Sequence, residues 1–358
     1  MKKGLFLSFL IVTASQAFAS SKNEELKSYD FSLPSCEGAD VNWGLSLSKN
    51  SIQICEAKKL INYKKAKPVL VGVIDTGVDS EHPLIKGSIK DFSDLSEEAT
   101  LYGLKDDHGH GTHIAGIMDS VFRAAYYGQK NPLQILSARF YNVANTDSNA
   151  IDNTAKAIRY AVKHGVRIIN FSAGGSGTSQ SEFEALKEAQ EKGVLVIVAA
   201  GNSGVDITRP GKGYFPASYH LKNILVVGGI DTYGNLTRSS NFGSKVDIAA
   251  PGNVITSSLP GGLFGEMTGT SQATAFVTGV AALLLSQDPS LKASELKEIL
   301  LTSASHRQGL IGKVKSAGIL NAAEALLLLN KRAKLKMESA GKEKVSQKTL
   351  YTSIRIQK

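Results

Sequence analysis

Three widely separated residues, Asp75, His110 and Ser271, are of types that could act together on a substrate. Ser271 lies in Gly269-Thr270-Ser271-Gln272-Ala273, where small residues give way to an apolar stretch predicted to be a helix from about Ser271 to Ser286. Gly269 is expected to let the backbone take a turn that other residues resist. The helix start leaves N–H groups unpaired, a positive end suited to a developing oxyanion. A serine before a helix is also a common N-cap, so this stretch alone admits both roles. Asp75 ends the apolar run Val69-Leu70-Val71-Gly72-Val73-Ile74, at the strand end where open parallel sheets place their sites. A carboxylate there is costly unless a donor or a positive group faces it. His110 opens His110-Gly111-Thr112-His113, just before another predicted helix. The three types divide one task between them. A hydroxyl attacks, an imidazole takes and returns its proton, and a carboxylate fixes the imidazole tautomer.

The elements that must position these residues follow from the apolar pattern. The run from Val69 is β-branched without alternation, as in a central parallel strand covered on both faces. Further strands are predicted at 134–139, 166–171, 194–199, 224–227 and 246–249. Helices are predicted at 112–123, 151–164, 182–192, 294–302 and 321–329. Alternating strands and helices imply right-handed crossovers and an α/β fold, a three-layer sandwich with a mostly parallel central sheet.

The ends of the chain differ from its body. Lys2-Lys3, the apolar run Leu5 to Val12 and Ala17-Phe18-Ala19 read as a secretory signal peptide over residues 1–19, cleaved after Ala19. A short lead-in (20–42), a main domain (43–330) and a basic tail (331–358) are expected to follow. The tail carries nine Lys/Arg against two Glu, and with Lys2 and Lys3 it accounts for the whole net charge of +9. The body is therefore neutral, which argues against nucleic acid as a partner. No internal stretch is long and apolar enough to span a membrane, so an exported protein, periplasmic or extracellular, is expected. Cys36 and Cys55 are the only cysteines. In an exported protein they read as a disulfide, worth about 3 kcal/mol, with free thiols or a metal pair as weaker alternatives. The remaining histidines carry less. His113 lies one helical turn past His110 and is expected to pack, and His108 precedes His110 by two residues. His82, His164, His220 and His306 have no motif around them. No carboxylate or cysteine accompanies the pair His110 and His113 in a ligand pattern, so no zinc is expected.

Asp75-Thr76-Gly77-Val78-Asp79, His110-Gly111-Thr112-His113-Ile114-Ala115-Gly116 and Gly269-Thr270-Ser271-Gln272-Ala273 together resemble the three signatures of the subtilisin family of serine endopeptidases, in that family's Asp, His, Ser order. Two further stretches fit, 168–175 and Ala199-Ala200-Gly201-Asn202-Ser203-Gly204, and the resemblance runs from about Trp43 to Leu329. It implies a peptide or protein substrate, with Ser271 as nucleophile, His110 as general base and acid, and Asp75 as the orienting carboxylate. By the same resemblance Asn202 donates to the oxyanion, although taken alone it reads as an ordinary turn asparagine. Ser172, Ala173 and Gly174 would line the primary specificity pocket. A small Ala173 leaves room there for a medium to large apolar side chain before the scissile bond.

The sequence also departs from the family pattern. Gln272 stands where methionine is frequent, Ala275 where proline is usual and Phe276 where histidine is common. At the usual acidic calcium position the chain has Leu84, and no ligand loop interrupts the stretch after Ile114. No cofactor is expected in the chemistry and the usual calcium site is not recognisable. Only 23 residues separate Ala19 from Trp43, too few for a folded inhibitory prodomain. Folding without such a chaperone, as a monomer, is expected.

Overall fold

The computed structural model describes residues 42–96, 106–141, 150–336 and 338–339. The expected signal peptide, the lead-in up to residue 41, Cys36 and most of the basic tail lie outside these residues. In chain order the elements are α1 (Ile54–Lys58), β1 (Val69–Asp75), β2 (Ile89–Asp94), α2 (His110–Ala125), β3 (Leu133–Arg139), α3 (Ala150–Lys163), β4 (Ile168–Phe171), α4 (Gln180–Glu191) and β5 (Leu195–Ala199). There follow β6 (Ile224–Ile230), β7 (Ile248–Pro251), β8 (Ile255–Leu259), β9 (Leu263–Met267), α5 (Thr270–Gln287), α6 (Ala293–Thr302), β10 (Ser305–His306), β11 (Gly318–Ile319) and a last helix α7, residues 322–336.

Nine strands form one sheet in the order β10-β11-β7-β6-β5-β4-β1-β3-β2, parallel throughout except for the β10–β11 pair. Its central strands are buried on both faces, and their residues divide with a period of two. Val69, Val71 and Val73 join a core cluster with α2, α5 and α6, whereas Ile74 joins the opposite cluster with α3 and α4. Leu195 and Ile197 of β5 part from Val196 and Val198 in the same way. A run that shows no alternation in sequence is therefore two interleaved apolar faces. This is the expected three-layer sandwich with a mostly parallel sheet.

α5 is apolar all round, and every residue from Thr270 to Ser286 is buried. Such a helix belongs inside a protein, and it packs beneath the sheet beside α2. The helices that carry His110 and Ser271 thus share one layer.

Element ends follow local chemistry. The strand expected from Val166 starts at Ile168, because the Val166 N–H closes the end of α3 on the Ala161 carbonyl, with Gly165 at φ 78° between them. Gly193 and Val194 end α4 in the same manner. The strand expected at 246–249 lies two residues later, since Val246 is held in a turn on the Gly243 carbonyl. β2 was not expected, nor was the hairpin β8–β9, which lies outside the main sheet. The basic C-terminal stretch begins as helix: α7 runs past Asn330 to residue 336, pinned to α6 by Arg332 Nη2 on Glu298 Oε1 at 2.7 Å.

Candidate active site

β1 delivers Asp75 at its C-terminal end, with only 2% of the residue exposed. α2 starts at His110, and the two meet at 2.7 Å between His110 Nδ1 and Asp75 Oδ1. The same carboxylate oxygen accepts the Thr76 N–H at 2.8 Å. The approach is close because residue 111 is glycine: a Cβ there would lie 1.9 Å from the Gly77 carbonyl oxygen. Burial pushes the His110 pKa down, but the charge and hydrogen bond of Asp75, with the charge of Asp106, carry it above the ordinary histidine value. With Nδ1 committed to a carboxylate, the imidazole has the tautomer that leaves Nε2 as the basic nitrogen.

Ser271 is the second residue of α5, so it is not the N-cap. Gly269 holds the cap, at φ 166°, an extended backbone open to any residue, so the conformational freedom expected of it is not used. Space constrains this glycine instead. A Cβ on it would press on Gln272 Oε1 at 3.1 Å and on Asn202 Nδ2 at 3.2 Å. The Ser271 hydroxyl is 7% exposed as part of its residue and donates to the Ser172 carbonyl at 2.9 Å. Among the described residues it makes no hydrogen bond to His110.

Asn202 lies just past β5, and its Oδ1 accepts from the Thr270 N–H at 2.9 Å and from Thr270 Oγ1 at 3.1 Å. A backbone N–H can only donate, so this end of the amide must be the oxygen, and Nδ2 is left as a donor beside the start of α5. The Ser271 N–H has no partner four residues back and is available on the same helix end.

Ser172 Oγ donates to the Ser271 carbonyl at 3.2 Å and accepts from Asn170 Nδ2 at 2.9 Å. Asn170 Oδ1 in turn accepts from Thr278 Oγ1 at 2.9 Å. This chain bolts the end of β4 to α5. The stretch after Ser172 runs beside the 213–216 loop, with Gly175 and Phe215 exchanging backbone bonds of 2.9 and 2.7 Å. The Tyr214 ring then spans the gap between Gly174 and Gly201: a Cβ on either glycine would come within 3 Å of it, at 2.7 and 2.9 Å. The room that Ala173 leaves therefore ends on an aromatic ring. Glu182 of α4 is buried behind it, facing Tyr219 and Tyr214, and burial raises its pKa to about 7.

The hairpin β8–β9 covers α2. His113 Nε2 faces the carbonyls of Ile255 at 3.0 Å and Gly265 at 3.2 Å, and Ser257 and Ser258 donate to the carbonyls of His113 and Thr112. His113 packs, as expected. His82 is likewise buried, with Nε2 on the Leu263 carbonyl at 3.0 Å. His108 stands edge-on to both His110 and Tyr141.

The usual calcium position of the family does not fit here. Leu84 packs against the core and offers no oxygen, and α2 runs unbroken to Ala125. Among the described residues no group of three or more His, Cys, Asp or Glu is arranged to hold a metal ion. Among them, too, no helix is long and apolar enough to cross a membrane.

Several residues of this site are not singled out by the sequence: Thr270 and Asn170, which orient Asn202 and Ser172; Tyr214; and Asp106, whose carboxylate lies behind the Asp75–His110 pair. Asp106 had one weak signal, an acidic residue shortly before a glycine and a helix start.

The family model for the subtilase family matches residues 66–333. The chain is 37% identical over 219 residues to the thermophilic serine proteinase of Bacillus sp. (strain AK1), covering 61% of this chain and 52% of that protein. It is 35% identical over 228 residues to the major intracellular serine protease of Bacillus subtilis (strain 168), covering 63% and 70%. With thermitase of Thermoactinomyces vulgaris it shares 34% identity over 258 residues, 72% of this chain and 88% of that one. The chain thus spans about half the length of the first relative and most of the third. On the match to its family model and its parallel-sheet fold, the chain belongs to the subtilase family of serine proteinases.

Proposed function

We propose that the chain is a serine endopeptidase that cleaves peptide bonds through an acyl-enzyme. Ser271 Oγ turns from the Ser172 carbonyl towards His110 Nε2, gives up its proton there and attacks the substrate carbonyl. Asp75 holds the Nδ1–H and stabilises the imidazolium that forms. The oxyanion develops between Asn202 Nδ2 and the Ser271 N–H, two donors set before the substrate arrives. His110 then protonates the leaving amine, and water reverses the sequence to release the acid. The substrate lies extended along 172–174, adding as a strand, with its side chain before the scissile bond in the gap floored by Tyr214.

The observation that carries this reading is the 2.7 Å Asp75–His110 pair together with an Asn202 amide whose donor end is fixed by Thr270. The test is hydrolysis of casein and of a peptide panel by the wild type, Ser271→Ala and His110→Ala. Cleavage by the wild type alone supports the reading, and equal rates for all three defeat it. Casein against the panel also separates a general protease from one that processes few substrates.

The chemistry needs no metal ion in this reading, and a chelator is expected to leave the melting temperature unchanged. Export rests on the basic and apolar N-terminus with its Ala17-Phe18-Ala19 site; N-terminal sequencing of protein recovered outside the cytoplasm should begin at Ser20. A relative named as intracellular makes this a property to be measured for this chain. A Cys36–Cys55 disulfide is supported by a buried Cys55 that is not a free thiol, and non-reducing peptide mapping should recover the pair.

A further inference from the structure

Asp106 lies four residues before His110 and is 2% exposed. Its Oδ1 accepts from Thr76 Oγ1 at 3.0 Å, from the His108 N–H at 3.1 Å and from the Gly109 N–H at 2.8 Å. Its Oδ2 accepts from the Thr112 N–H at 2.9 Å and from Thr112 Oγ1 at 2.5 Å. All five partners donate. Thr76 Oγ1 already accepts the Gly111 N–H at 3.0 Å, and Thr112 Oγ1 accepts the Asp79 N–H at 2.9 Å, so each hydroxyl hydrogen is left for Asp106. Burial raises the Asp106 pKa, the donors oppose this only in part, and the charge of Asp75 adds to the rise. Five donors converge on its two oxygens, an arrangement that matches a carboxylate.

These bonds come from both sides of the Asp75–His110 pair. Thr76 follows Asp75, while His108, Gly109 and Thr112 bracket His110. A backbone bridge between Gly77 and Asp106 joins the same two segments. Arg139, the register partner of Asp75 on β3, holds the neighbouring Asp107 at 2.8 Å and so fixes the 106–109 loop from the sheet side.

We propose that Asp106 is a positioning residue for the catalytic pair: its buried carboxylate clamps the turn after Asp75 to the first turn of α2, and so holds His110 on Asp75. This rests on the endopeptidase reading above for its consequences in catalysis, but not for the clamp itself. Serine, histidine and aspartate need placing to a fraction of an ångström, and a displacement near 1 Å can cost on the order of 100-fold in rate. The charged and titratable groups around His110 are Asp75 and Asp106, which raise its pKa, and the neighbouring rings of His108 and His113.

Asp106→Asn keeps the size, removes the charge and turns one acceptor into a donor facing donors. Expected is a folded enzyme with kcat lowered between about 10- and 100-fold, KM little changed, and the acid limb of the kcat/KM profile moved to lower pH. A histidine titration by NMR, run without substrate, should show the same downward move of the His110 pKa. Where Asp106→Asn does not fold, Thr76→Val and Thr112→Val serve instead. Each removes one hydroxyl link and keeps the charge, and each should lower kcat by at least about threefold without moving the acid limb. A folded Asp106→Asn with wild-type kcat and an unmoved His110 titration overturns the proposal, as do valine variants at wild-type kcat. Should the wild type cleave nothing, the endopeptidase reading fails, and the His110 Nδ1 proton resonance of Thr76→Val and Thr112→Val decides the clamp: a shift from the wild type supports it, and an unchanged resonance overturns it.

Discussion

The hydroxyl of Ser271 donates to the carbonyl of Ser172 at 2.9 Å, across the groove in which a substrate would lie. In the proposed reading, the free protein parks the nucleophile on the wall of the substrate site. A substrate that hydrogen-bonds along 172–174 competes for that carbonyl, so binding itself would release the hydroxyl for His110. Long or misdirected bonds of this kind are common in enzymes without substrate.

Asn202→Ala should lower kcat by about 10²–10³-fold with little change in KM, because the donor serves only the developing oxyanion. That magnitude is the one known for loss of the side-chain oxyanion donor in subtilisin itself, carried over to Asn202 by family membership. Steady-state kinetics on a peptide ester and an amide check it. A fall confined to KM would place Asn202 outside the oxyanion site.

Activity should follow a base whose pKa lies above the ordinary histidine value, since Asp75 and Asp106 outweigh the burial of His110. The neutral imidazole is the active form, so kcat/KM falls as pH drops through that raised pKa. Asp75→Asn removes the main cause of the rise. It should move the acid limb to lower pH while costing on the order of 10⁴-fold in kcat.

Stability should respond to pH through two buried groups with opposite slopes. His113 is held neutral by burial, with its pKa lowered from 6.5 to about 3. Below pH 6.5 the unfolded chain gains a proton that the folded one refuses, so up to about 5 kcal/mol of stability is lost as pH falls towards 3. Glu182 behaves in the reverse sense, its pKa raised from 4.5 to about 7. The folded state keeps this proton while the unfolded state releases it, so about 3 kcal/mol is lost as pH rises from 4.5 through 7. Thermal melts should therefore show Glu182→Gln gaining stability relative to the wild type as pH rises between these values. Parallel curves would show that Glu182 ionises freely in the fold.

Tyr214→Gly should deepen the pocket between Gly174 and Gly201. The ratio of kcat/KM for a Phe side chain before the scissile bond to that for Ala should rise at least about tenfold, the scale of a few buried methylenes. An unchanged ratio would place the ring outside the path of that side chain.

Much of the scaffold is legible in the sequence because burial writes it there. The six central strands are apolar runs, and α5 is apolar on every side. β2 escapes notice because Ile-Lys-Asp-Phe-Ser-Asp is a half-exposed edge without a continuous apolar face. The hairpin β8–β9 pairs two short, mixed segments, Ile-Thr-Ser-Ser-Leu and Leu-Phe-Gly-Glu-Met, with no apolar run, and Pro260-Gly261-Gly262 is its one turn signal. Within the site, Asp75, His110, Ser271 and Asn202 come from motifs, and the structure brings Asp75 to His110 and Asn202 to the start of α5. Asp106 has only a weak signal among its neighbours in sequence, and Tyr214 has none. Their roles arise from contacts between segments, Thr76 in one case and Gly174 with Gly201 in the other.

The central claim is that Ser271 is a nucleophile activated by His110. A fluorophosphonate probe reacts with such a serine and carries no demand on the specificity pocket. Peptide mapping of the labelled wild type should place one adduct on Ser271, absent from Ser271→Ala and strongly slowed in His110→Ala. A correctly folded wild type that stays unlabelled, or an adduct that persists in Ser271→Ala, would contradict the account.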